Sequence, residues 1–129
     1  MMDADQVAQM MLDMYKTEDD WCPSGLYMRR NGKDVHCLLG GRAIIQYGSL
    51  DAWSTNTLLE ALADDEYLLK LAAVIREQYP EMRKAFTLPA DMPPSGKDLW
   101  DQLNVIFVFN DGHATFADIR TVLEKAAAK

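Results

Sequence analysis

Apolar residues recur at helical intervals along most of the chain, and the breaks fall where glycine, proline or an Asn-Gly pair stands. Val7, Met10, Met11, Met14 and Tyr15 share one face of a helix predicted from about Asp3 to Lys16, opened by Asp3 and Gln6 in capping-box spacing. Methionine suits an adaptable binding groove, but it also fills irregular cores, and the core reading is adopted. The polar loop 17–20 leads to Trp21-Cys22-Pro23-Ser24-Gly25, where proline and glycine stop any helix and Trp21 is expected to seal one end of the core. Leu26 to Arg30 and Lys33 to His36 flank Asn31-Gly32, the pair that a type I′ turn requires because both central residues need positive φ. A small β-hairpin at about residues 26–36 follows.

The stretch from Cys37 to Gly48 reads as a short apolar helix around which the domain is organised, ending in a left-handed glycine cap. Its pair Gly40-Gly41 costs about 1 kcal/mol per residue against alanine. Close approach of another backbone or a bulky ring is the expected reason. Ser49 to Asn56 is a connector, and Thr57 with Glu60 opens a short helix to Leu62 or Ala63. Asp64-Asp65-Glu66 then suit the first turn of a helix whose stripe is Leu68, Leu71, Ala72, Ile75 and Tyr79, ended by Pro80. Prolines 80, 89, 93 and 94 mark residues 80–96 as a long surface loop, the place expected for a partner-specific elaboration.

Residues 95–110 carry both strand-like residues (Val105 to Phe109) and helical spacing (Leu99, Leu103, Ile106, Asn110). Helix is preferred because no second long strand exists to pair with them. Apolar residues on every side imply deep burial. Asn110 to Ala114 reads as a turn in which Asn110 and Asp111 satisfy backbone groups between the last two helices. Thr115 and Asp118 cap the final helix, with a stripe at Phe116, Ile119, Val122, Leu123 and Ala126. The fold class expected is mainly α: a bundle of five to six helices with one β-hairpin, residues 1–129 forming a single globular domain.

Composition supports a folded chain, with 49% hydrophobic and 26% charged residues. The formal net charge of −7, from 20 acidic and 13 basic residues, argues against direct nucleic-acid or anionic-membrane binding and permits a protein partner with basic groups. The longest apolar runs have five residues, far short of the roughly 20 that span a bilayer. The amino-terminal residues show no basic segment followed by an apolar run, so a cytoplasmic location is expected, with Cys22 and Cys37 as reduced thiols.

Trp21 with Gly25 and Tyr27, Cys37-Leu38-Leu39-Gly40-Gly41, Phe109-Asn110-Asp111, and Thr115 through Val122 and Leu123 stand in an informative order. That order resembles an uncharacterised family of small actinobacterial and phage proteins, which has a Cys-Leu-x-Gly-Ala-like helix start and a Trp/Phe-Asn-Asp turn before a threonine-capped last helix. Gly41 departs from the family's alanine. The resemblance implies the architecture and a bacterial or phage source, and it carries no activity.

A cysteine at a helix amino terminus is where a thiolate gains from the dipole and free N–H groups. With His113 as base and Asp111 or Asn110 as its orienter, Cys37 would serve a cysteine-dependent hydrolase or transferase. Against this, free cysteine is among the most buried residue types, and Leu38-Leu39 follow as they would in a core-facing helix start. Cys22, Cys37, His36 and His113 are enough in number for zinc but lack ligand spacing. Calcium, phosphate-loop and nucleophile-elbow motifs are absent, and no metal or cofactor is expected. The reading adopted is a non-enzymatic protein-binding module. Its partner surface is the hairpin tip, Arg29, Arg30 and Lys33, together with the 80–96 loop, although charge on the tip also keeps an edge hairpin soluble. The alternatives are the Cys37 enzyme and an acidic nucleic-acid mimic, which needs a phosphate-like row of acidic groups that the sequence does not display.

Overall fold

The computed structural model describes residues 3–23, 27–48, 61–62, 65–83 and 103–128. Helix α1 (Ala4–Met14) starts where Asp3 and Gln6 exchange hydrogen bonds at 2.9 and 3.0 Å, the reciprocal box their spacing predicts. Val7, Ala8, Met11 and the following Tyr15 enter the core. Met10 does not: it lies about 100° round the helix from Met11 and is exposed. A single 3₁₀ turn, Glu18–Asp20, leads to Trp21.

Strands β1 (Tyr27–Arg30) and β2 (Lys33–His36) pair antiparallel, Tyr27 opposite His36 and Arg30 opposite Lys33. Asn31 and Gly32 adopt φ of 54° and 81°, the two positive values that the turn requires. Trp21 adds a parallel bridge to His36 on the far side of β2, with Cys22 N donating to His36 O at 3.1 Å.

Helix α2 (Leu38–Tyr47) has Cys37 as its N-cap and ends at Gly48, φ 79°. A close approach accounts for the second glycine of the pair, Gly41. A β-carbon there would fall against the Tyr15 hydroxyl and 3.0 Å from Tyr15 Cζ and Met14 Sδ, so the tyrosine ring occupies the space a side chain would need.

Helix α3 (Glu66–Gln78) is capped by Asp65, whose Oδ1 accepts from Leu68 N at 2.9 Å. It buries Tyr67, Leu68, Leu71, Ala72, Val74 and Ile75, a wider stripe than predicted, and Tyr79 is half-buried. Pro80–Arg83 forms a 3₁₀ turn. The proline-rich loop beyond it, the connector from Ser49, the start of the short helix at Thr57 and the Ser95 cap lie outside the described residues.

Residues 103–108 are helical (α4), as preferred over strand, and run into a π-helical turn, Phe109–His113, closed by Ala114 N donating to Phe109 O at 2.8 Å. Leu103, Val105, Ile106 and Phe109 are buried, but Phe107 faces outward, so burial is not uniform round this helix. Helix α5 (Phe116–Ala128) opens with Thr115 N donating to Asp118 Oδ2 and Asp118 N donating to Thr115 Oγ1, at 3.0 and 3.3 Å.

Helix α1 packs on α2, α3 and α5, and α3 packs on α5, around one hydrophobic core to which all five contribute. Arg120 of α5 donates to Leu12 O and Tyr15 O at 3.0 and 3.1 Å, satisfying carbonyls that the end of α1 leaves open. The described residues thus form a mainly α fold with a two-stranded hairpin.

Candidate functional site

Buried hydrogen bonds from segments far apart in sequence converge on the start of α2. Cys37 is 3% exposed, and its sulfur accepts from Gly40 N at 3.3 Å. Burial pushes its thiol up to about 12, against smaller lowering from the N–H groups of Gly40 and Leu39, and the nearby Asp111 carboxylate raises it further. A helix terminus contributes at most about 1–2 kcal/mol to a thiolate. Here desolvation exceeds that, and at neutral pH Cys37 is a protonated capping group. Asp111 therefore opposes ionisation of Cys37 instead of promoting it. The side chain of His113 lies outside the described residues.

Asn110 holds this region together. It is 2% exposed, and its four hydrogen-bonding positions are all used. Oδ1 accepts from Trp21 Nε1 at 2.9 Å and from Leu38 N at 3.1 Å, and Nδ2 donates to Cys22 O at 3.0 Å and to Asp111 Oδ1 at 2.8 Å. The sequence suggested service between the last two helices. The partners are instead the Trp21-Cys22 segment and one of the open N–H groups at the amino terminus of α2. Tyr15 completes the cluster by donating from its hydroxyl to Cys37 O at 2.6 Å.

Compared with protein-family models, characterised proteins and solved structures, the chain matches none.

Among the described residues no group of three or more His, Cys, Asp or Glu side chains is placed to hold a metal ion. His36 is half-buried, and burial lowers its pKa against the opposing pull of Asp34. Nothing in the Asn110 cluster offers an accessible nucleophile, and its polar groups are consumed by one another.

The basic hairpin tip is also engaged internally. Arg29 donates to Gly32 O at 2.9 Å and lies 3.6 Å from Asp34, Arg30 donates to Glu18 O at 2.9 Å, and Lys33 pairs with Asp20. These contacts tie the tip to the 3₁₀ turn and offset its charge. Beside the exposed side chains of Arg29, Lys33 and Asp34 the hairpin also presents apolar surface: Tyr27 is 56% exposed, and Met28, next to it in sequence, is exposed too. No side chain of β1 enters the core, and Val35 alone anchors the hairpin there. In a hairpin closed by a two-residue turn the flanking pair exchanges hydrogen bonds, so the N–H and C=O groups of Tyr27 and Arg29 point away from β2.

Sequence reasoning missed a second polar centre, at Arg42 in the middle of α2. Arg42 is 5% exposed; its Nε and Nη2 meet Asp65 at 3.1 and 2.7 Å, and Nη2 also donates to Gln46 Oε1 at 3.1 Å. Arg42 Nη1 and the Tyr67 hydroxyl are buried without a hydrogen-bond partner, each at a cost of about 1–3 kcal/mol. Both residues line a cavity of about 240 Å³. The available signal was an arginine set among Leu38, Leu39, Ala43 and Ile44, since arginine is seldom buried unless paired.

Proposed function

We propose that this protein works by binding another protein, and that the contact is made along β1 of the hairpin. The observation that supports the reading is the outer edge of β1, where outward-pointing backbone groups run beside exposed Tyr27 and Met28. An extended segment of a partner can add as a further strand there, its backbone pairing with Tyr27 and Arg29 and its side chains alternating between the two faces. β2 cannot serve in the same way at His36, because Trp21 and Cys22 already pair with it.

The test uses substitutions that leave the hydrogen bonds and ion pairs of the hairpin tip alone. Reversing Arg29, Arg30 and Lys33 would disturb Asp34, Glu18 and Asp20, so Tyr27→Ser with Met28→Ser is cleaner, and Tyr27→Pro removes one outward N–H at the first residue of the strand. Wild-type protein should capture a defined partner from an actinobacterial lysate, and both variants should lose it while melting as the wild type does. Equal capture by all three proteins would overturn the reading.

A further inference from the structure

The two cysteines bracket the hairpin in sequence, and the fold sets them side by side. Trp21 pairs in parallel with His36, so the next residue along each segment, Cys22 on one and Cys37 on the other, is also a neighbour. Cys22 N donates to His36 O at 3.1 Å, which fixes the two backbones just before Cys37. Asn110 fixes them just beyond: its amide donates to Cys22 O while its oxygen accepts from Leu38 N. Paired backbones lie roughly 4.7–4.9 Å apart, inside the range of about 4.4–6.8 Å between the Cα atoms of a disulfide.

Side-chain direction follows from the same pairing. Trp21 (φ −113°, ψ 137°) and Cys37 (φ −75°, ψ 177°) are extended, and side chains along extended backbone alternate between faces. Trp21 and His36 share one face of the pair, so Cys22 and Cys37 share the other. Both are buried there, and the Tyr15 hydroxyl is near enough to each to be raised by a charge on either. A charge on Cys22 is felt at Cys37 in the same way. The backbone spacing exceeds the Cβ separation of a disulfide by about 1 Å or less, so closure asks for a small local shift.

We propose that Cys22 and Cys37 are a redox pair, joined on oxidation by a disulfide that closes the chain around the hairpin and latches its base to the start of α2. The hairpin has need of a latch, because Val35 is the one side chain of its two strands in the core. The oxidant is a small-molecule disulfide. Two thiol S–H bonds break and one protein S–S bond forms, while the S–S bond of the oxidant breaks and takes up both protons and both electrons. Exchange requires a thiolate with access to the oxidant, so burial makes it slow and routes it through local opening. The pair stands whether or not β1 binds a partner.

The experiment equilibrates the whole protein with mixtures of reduced and oxidised dithiothreitol, in buffer and in concentrated urea, and reads the products by intact mass and by peptide mapping. A Cys22–Cys37 link within one chain is expected, with a ratio of disulfide to dithiol at least tenfold higher in the folded protein than in urea. The linked protein should melt about 5–10 °C above the reduced one. Amide hydrogen exchange across β1 and β2 should slow severalfold on linkage, which a bond placed away from the hairpin base would not produce. The proposal is overturned if only links between chains form, if the folded protein favours the bond no more than the unfolded one does, if the linked protein melts lower, or if exchange in the hairpin is unchanged.

Discussion

The ring of Tyr15 lies directly over Gly41, and its hydroxyl reaches past that glycine to the carbonyl of Cys37 at 2.6 Å. This contact joins the end of α1 to the first turn of α2 and is the reason a helix-weakening residue stands there. Gly41→Ala should destabilise by about 1–3 kcal/mol through overpacking. Tyr15→Phe should cost about 1 kcal/mol for the lost hydrogen bond. The double variant should cost less than the sum, because removing the hydroxyl clears the nearest atom from the new methyl group. Urea midpoints of the four proteins check this, and strict additivity would mean the two residues do not touch.

Asn110 supports three separate pieces of backbone and side chain at once. Asn110→Ala should cost about 3 kcal/mol or more, since Trp21 Nε1, Leu38 N and Cys22 O each lose a buried partner. Asn110→Asp should be no better, because it sets a carboxylate oxygen against Cys22 O and beside Asp111. Denaturant unfolding followed by Trp fluorescence reads both. A loss below about 1 kcal/mol in Asn110→Ala would contradict the hub.

Cys37 should resist iodoacetamide at neutral pH until the protein unfolds, with peptide mass spectrometry reading the label. The same burial gives stability a definite pH dependence. Unfolded, the thiol releases its proton near 9; folded, it holds it to about 12. Between those values the unfolded state binds fewer protons, so stability present at pH 7–8 falls as pH rises above 9, by up to about 1.4 kcal/mol per pH unit per group. Tyr15 and Tyr67, both raised by burial, act in the same direction above pH 10. A stability curve flat from pH 8 to 11 would show that these groups reach water.

Asp65 carries two duties, pairing with Arg42 and capping α3. Asp65→Ala should cost about 3–5 kcal/mol, because it strands a buried guanidinium. Arg42→Leu with Asp65→Ser removes the charge and keeps a cap, so it should recover much of that loss. Thermal unfolding distinguishes the two, and equal destabilisation would mean that Arg42 is hydrated without its partner.

Which parts of this were legible beforehand follows from the range of the interactions involved. The box at Asp3 and Gln6, the Asn31-Gly32 turn, the Gly48 cap and the Thr115–Asp118 cap all close within four residues. Their chemistry is written locally, so the sequence alone determined the helices, the hairpin and the fold class that they delimit. Cys37 shows where that range ends: its place at the helix start was readable, but its ionisation depends on the dielectric that distant segments create around it. Asn110 finds Leu38 and Trp21 at separations of 72 and 89 residues, and no spacing rule connects them. Arg42 reads as an interruption of an apolar helix until Asp65 and Tyr67 are brought beside it. Only the tertiary structure decided these three, because desolvation and long-range pairing are properties of the packed core and not of any stretch of chain.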